Sequence, residues 1–187
     1  MPNLAFMASW SIAGSLTPEP ADRRDDLLAP PVSRALASSD GDQPVAVVEI
    51  DPGLADTAEF CAAYGSPMDA SANCVVVAGK RAGEVRYAAV MVLASTRADV
   101  NGVVKRLLDV RKASFAPMGD AVSLTGMEYG GITPVGLPED WPVYVDRAVA
   151  DAPELVIGSG IRGSKLLVTG RFLSSLPTAQ IIEDLAH

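Results

Sequence analysis

Two valine-rich runs, Cys74–Ala78 and Arg86–Ala94, constrain this chain more than any other feature. Each is almost unbroken in apolar character, and each has the length of a strand rather than of a buried helix. The link between them, Lys80–Glu84, contains Gly83 and follows Gly79. Two such runs joined by a short glycine-containing link read as an antiparallel hairpin. The lack of polar alternation means that both faces of the hairpin are covered. The chain must therefore fold in layers around a central hairpin.

The flanking segments supply those layers. After the hairpin, Asp99 caps an amphipathic helix, Val100–Leu108, with Val100, Val103, Val104, Leu107 and Leu108 at helical spacing. Upstream, Ala8–Leu16 reads as a first strand or part of an extension, and Pro18, Pro20, Pro30 and Pro31 surround a short helix within Asp22–Leu28. Pro31 suits the first turn of a helix over Val32–Ser38. Val45–Ile50 reads as a strand. Asp56 with Glu59 forms a capping box for Thr57–Tyr64, which Gly65 closes. Downstream, Lys112–Phe115, Pro142–Asp146, Glu154–Ile157 and Lys165–Val168 read as strands. Asp120–Leu124, Arg171–Leu176 and Ala179–Leu185 read as helices. No clean βαβ repeat runs through this order. It favours a mixed α/β (α+β) sheet over a doubly wound parallel one. At 187 residues the chain fits one domain, expected over 31–187, with residues 1–30 as an N-terminal extension packing on it.

Several function classes are excluded at this level. The single histidine is His187, the last residue, so histidine-based triads and His-ligated metals are not expected. Two cysteines, Cys61 and Cys74, make neither a disulfide framework nor a four-cysteine zinc site, and they read as reduced thiols. No cofactor or metal is expected. No apolar run reaches the roughly 20 residues of a membrane span, and no basic residue precedes Arg23, so a signal peptide and a membrane partner are not expected. The reading is cytoplasmic. The net charge of −8 is uneven: residues 1–72 carry 11 acidic and 3 basic residues, residues 73–187 carry 12 of each. A strongly basic nucleic-acid domain is thereby excluded, while contact with a polyanion through local patches is not.

Two glycine-rich stretches stand out. Gly158-Ser159-Gly160-Ile161-Arg162-Gly163 spells G-x-G-x-x-G after a strand. A dinucleotide fingerprint needs a helix next, and Ser164–Thr169 reads as a strand instead. The stretch is better taken as a turn between two strands, with Arg162 either a surface tip or a fixed fork aimed at a carboxylate or phosphate. Gly130-Gly131-Ile132-Thr133-Pro134-Val135-Gly136-Leu137-Pro138 is a rigid, side-chain-poor loop. It is either a structural turn or a main-chain cradle for a carbonyl, oxyanion or ribose. Asn73, a polar residue opening an apolar strand, is either a strand-entry residue or one that faces a cavity. Lys80-Arg81, Lys105-Arg106 and Arg111-Lys112 are basic pairs; the last two are the better phosphate candidates.

In this order, Asn73–Ala78, Val100–Leu108, Lys112–Pro117, Gly126–Pro138 and Gly158–Lys165 resemble the YbaK/EbsC, or prolyl-tRNA-synthetase-associated, editing domains. The resemblance runs from about Pro31 to Ala186 and is most specific at the two glycine stretches. It implies a compact YbaK-like α/β domain whose mixed, partly barrel-like sheet is surrounded by helices. It also implies a free-standing aminoacyl-tRNA deacylase that hydrolyses the ester of a misacylated tRNA. The family's lysine on the first central strand falls on Asn73, which carries no charge. The resemblance therefore also admits an inactive relative that binds an aminoacyl or adenosine end, or a synthetase. The residues it implies are Asn73 and Gly131 for catalysis. For substrate binding they are Gly130, Ile132, Thr133, Pro134, Gly136, Asp146, Gly158, Ser159, Gly160 and Arg162. With this charge balance the tRNA 3′ end would be held weakly, and a synthetase or elongation factor would deliver it.

Overall fold

The computed structural model describes Ser9–His187. Two sheets organise it. One has the order β1-β2-β8-β7, the other β5-β3-β4-β6-β9. The central hairpin is β3 (Ala72–Arg81) and β4 (Glu84–Leu93), paired antiparallel over ten registered positions. β5 (Ala113–Phe115) adds to it antiparallel, while β6 (Val143–Asp146) and β9 (Ala179–Ile182) add in parallel. In the other sheet, β1 (Glu19–Pro20), β2 (Ala46–Glu49), β8 (Ser164–Val168) and β7 (Leu155–Gly158) are antiparallel throughout. A parallel bridge from Ser71 to Val156 links the sheets.

Strand alternation decides which residues face which layer. Val47, Leu155, Ile157, Leu166 and Val168 of the first sheet meet Ala89, Met91, Val143 and Val145 of the second in one shared core. The opposite face of β4 buries Ala88, Val90 and Val92 against Val100, Val104 and Leu108. The outer face of the first sheet buries Ala46, Val48, Val156 and Leu167 against Phe60, Ile12 and Ala13. The hairpin is thus covered on both faces, as its composition requires.

Most elements fall where the sequence places them, and the exceptions have local causes. Ala8–Leu16 is not a strand: Ala8 lies outside the described residues and the rest is turns, with the strand arriving only at Glu19–Pro20. Asp22–Leu28 splits into two 3-10 turns, Ala21–Arg23 and Asp25–Leu27. Helix α1 (Pro30–Ala37) takes both prolines in its first turn, where a missing N–H costs nothing. Helix α2 (Thr57–Tyr64) ends at Gly65 with φ 71°, but Asp56 does not cap it with its side chain. The Val100–Leu108 helix opens as a wide π-type turn, Val100–Val104, before the short α3 (Lys105–Leu107). Asp99 accepts there from the N–H groups of Gly102 and Val103 at 2.9 and 3.1 Å. Helices α4 (Met118–Thr125), α5 (Arg147–Ala150) and α6 (Gly170–Ser174) follow. Ala179–Leu185 is not a helix. Its first four residues form β9, because the open edge of β6 offers main-chain partners that the β-branched Ile181 and Ile182 suit. The last residues pair across the molecule: Arg97 and His187 exchange both main-chain hydrogen bonds, at 2.8 and 3.0 Å.

Candidate functional site

A cleft of about 180 Å³ opens where the two sheets meet α2. Its walls include Asp56, Thr57 and Phe60 from the start of α2, and Ser71–Cys74 from the start of β3. Val156–Gly158 of β7, Lys165 of β8, and Gly130 and Ile132 of the glycine loop complete it.

The two glycine stretches meet main chain to main chain. The Gly160 N–H donates to the Gly131 carbonyl at 2.7 Å, and the Glu128 N–H donates to the Gly160 carbonyl at 2.8 Å. A Cβ on Gly158 would sit 2.5 Å from the Gly131 oxygen and 2.7 Å from the Ile132 oxygen. A Cβ on Gly131 would sit 2.7 Å from the Ile161 main chain. No real Cβ tolerates such distances to backbone, so glycine here permits contact between two chains. The Arg162 N–H donates to the Glu128 carboxylate at 2.8 Å and locks the junction.

This junction leaves specific donors. Gly131 has spent its N–H on the Glu128 carbonyl, at 2.9 Å. Gly130 and Ile132 both line the cleft, and their N–H groups have no protein acceptor among the described residues. Asn73 is exposed to the cleft; its Oδ1 accepts from the Thr57 hydroxyl at 3.2 Å, which leaves its amide N–H pair to face outward bonding. Arg162 lies beside Gly130. It donates to the Pro52 carbonyl at 3.1 Å and to Asp56 at 3.3 Å, tying the hairpin tip to the segment before α2. The carboxylate of Asp56 serves this pair instead of the helix cap.

Lys165 is a charged side chain of the cleft wall that the sequence alone did not single out. It alternates with the inward-facing Ser164 and Leu166, so it shares the outer face of β8 with Leu167 and points toward α2. Its partner in register on β7 is Gly158, which has no side chain to fill the space beside it. Its residue is 9% exposed. Its Nζ stands 5.7 Å from the centre of the Phe60 ring. Burial, and next the charge of Arg162, hold its ammonium below the ordinary lysine range, against smaller opposing effects of Asp56 and Cys61. The detectable signal was one charged residue before the apolar Leu166–Val168 run.

Cys74 also borders the cleft, but burial pushes its thiol up to about 12, so it is protonated at neutral pH and no nucleophile. Of the residues suggested by sequence, Asn73, Gly130, Ile132 and Gly158 converge on the cleft. Gly131, Gly160 and Arg162 build its edge. Ser159 is wholly buried, exchanging hydrogen bonds with Ser164 behind the wall. The others lie elsewhere. Thr133 is fully buried outside the cleft lining, and its hydroxyl has no partner among the described residues. Pro134 and Gly136 line a separate groove of about 800 Å³ beside α1 and α6. Asp146 is buried at the end of β6, where it accepts from the Ala148 N–H at 3.2 Å and caps α5. The basic pairs lie apart from the cleft. Arg81 ends β3 eight residues after Asn73, about 26 Å along the strand, and is paired with Asp109 at 2.8 Å.

Known proteins match this chain as follows. The sequence profile of the aminoacyl-tRNA editing domain matches residues 51–175, more than half of the chain. A proline--tRNA ligase of Listeria monocytogenes is 32% identical over 75 residues, 40% of this chain and 13% of the ligase. The matched part is thus a small fraction of that relative. Among solved structures, one described as a proposed trans-editing enzyme for prolyl-tRNA synthetase superposes with a TM-score of 0.69. It is 25% identical, over 83% of this chain and 94% of the other. A scaffold used for computational epitope grafting superposes equally well, at 0.69, with 26% identity over 83% and 95% of the two chains.

Proposed function

The chain belongs to the aminoacyl-tRNA editing domain family, and on that premise we propose that it hydrolyses the ester joining a wrongly attached amino acid to the 3′ end of a tRNA. One observation carries this reading. Gly130, Ile132 and Asn73 line one small cleft, and the main-chain N–H groups of the first two and the side-chain amide N–H groups of the third have no acceptor among the described residues.

An aminoacyl ester is already activated, so the reaction asks little beyond position and charge stabilisation. Water attacks the carbonyl carbon, and the carbonyl oxygen gains negative charge. The bond to the ribose oxygen then breaks, and that oxygen takes the proton given up by the water. The neighbouring ribose hydroxyl can orient the water. The protein contributes donors to the developing oxyanion, each worth about 10²–10³ in rate, and it holds the ester still. No histidine or thiolate is required, in keeping with the residues that wall the cleft and the protonated Cys74.

The proline--tRNA ligase relative and the trans-editing neighbour support a tRNA substrate. The acidic balance of −8 supports weak intrinsic tRNA affinity and delivery by a synthetase or elongation factor. The test is loss of ester from tRNAs charged with Ala, Ser, Cys or Pro. Hydrolysis of at least one, well above the rate in buffer, is the expected result. Binding of a charged tRNA without ester loss would replace this reading with that of a silent binding relative, the alternative favoured by Asn73 in the lysine position of the family.

A further inference from the structure

We propose that Lys165 is the cationic catalytic residue of this cleft, reaching from β8 to bind the carbonyl oxygen of the aminoacyl ester opposite Asn73. The proposal rests on the deacylase reading and names a group within that same site.

Three observations converge on it. The residue lines the cleft and is almost wholly withdrawn from solvent, with its amine beside Phe60, another residue of the cleft wall. The opposite register position is Gly158, and Gly158 is held side-chain-free by the Gly131 and Ile132 carbonyls, so the space beside Lys165 is built into the fold. Finally, the ammonium of Lys165 has no hydrogen-bond or ion-pair partner among the described residues, while its main chain is held in the strand ladder. The charged and titratable groups around it are Arg162 on its own hairpin, Asp56 and Cys61 from the α2 side, and Cys74 on β3. Asp56 is the single carboxylate of that set, and it is engaged by Arg162. Phe60 offers its ring face and nothing stronger. A buried cation left without an anion is costly, and methionine would fill the same volume without that cost. An anionic oxygen arriving in the cleft supplies the missing partner.

In the step itself, the water oxygen bonds to the ester carbon while the ammonium of Lys165 donates to the carbonyl oxygen. The carbon–oxygen bond to the ribose breaks, and the water proton ends on that ribose oxygen. Lys165 stays protonated throughout, and nothing is oxidised or reduced. Because the charged form acts and burial disfavours it, the rate advantage over spontaneous hydrolysis falls as pH rises, at lower pH than for an exposed lysine.

The experiment uses the full chain and tRNAs charged with Ala, Ser, Cys or Pro, under single-turnover conditions. Lys165→Met should lower the rate about 10²–10³-fold, with a melting temperature equal to or above that of the parent. Lys165→Gln serves as a second variant if the first misfolds. Asn73→Lys placed in the Lys165→Met background, which returns a cation to the facing wall, should recover about tenfold or more of the loss. The alkaline fall in rate advantage should vanish with Lys165. A parent that cleaves the ester and a Lys165→Met variant within threefold of it would overturn this proposal and leave the deacylase reading standing. A parent that cleaves none of the four esters would overturn both.

Discussion

The two hairpins of this protein use glycine for opposite reasons. Between β3 and β4 the tip is Ala82-Gly83, both with positive φ, at 50° and 84°. That is the twist a two-residue turn requires, and nothing lies within 4 Å of a Cβ placed on Gly83. Between β7 and β8 the link Ser159–Gly163 is pressed against a second loop, and Gly158 and Gly131 are excluded from bearing side chains by main-chain atoms. The first hairpin ends in solvent and serves the core. The second ends in a junction and serves the cleft. A glycine kept for conformation and a glycine kept for proximity look alike in a sequence, yet they differ in what a methyl group does to them.

Gly158→Ala tests that difference at full strength. It should cost about 1–3 kcal/mol through overpacking against backbone, read by thermal unfolding. It should also lower deacylation about 10²-fold, because the loop bearing Gly130 and Ile132 is displaced. Asn73→Ala, at the base of the first hairpin but inside the cleft, should lower the rate about 10²-fold as one oxyanion donor is lost. Its melting temperature should barely move, since one exposed hydrogen bond to Thr57 is all it gives up. Unchanged hydrolysis would remove Asn73 from the mechanism. Gly83→Ala should cost about 1 kcal/mol of left-handed strain and leave deacylation alone; a change in rate there would break the contrast between the hairpins.

The smallest effect is a pH dependence. Lys165 is held below its ordinary value of 10.5 in the folded state. Between that lowered value and 10.5 the unfolded chain therefore binds more protons, and stability contributed by this group rises with pH. The stability of the parent relative to Lys165→Met should climb through that window. Lys80→Met, at the exposed end of β3, is the matching control, and denaturant titrations at several pH values provide the readout.

Much of this architecture was legible in the chain. The valine runs announced a covered hairpin, because an apolar strand with no polar face has to be buried on both sides. Asp99, Gly65 and Pro31 marked helix ends through local backbone chemistry, which depends on a few neighbouring residues. Asp56 illustrates the limit. Its sequence context reads as a cap, but a long-range ion pair with Arg162, more than 100 positions away, takes the carboxylate instead. Ala179–Ile182 shows the same limit for an element, since an open strand edge outweighed a helical pattern of only seven residues.

The sequence by itself determined the layered α+β class and the hairpins, because these follow from residue type and short-range spacing. Tertiary structure alone decided that Lys165 and Asn73 line one cleft, that Gly131 spends its N–H on Glu128, and that Pro134, Gly136 and Asp146 lie elsewhere. Those outcomes depend on how two sheets meet. Contacts between residues some ninety positions apart are set by packing, which no local pattern encodes.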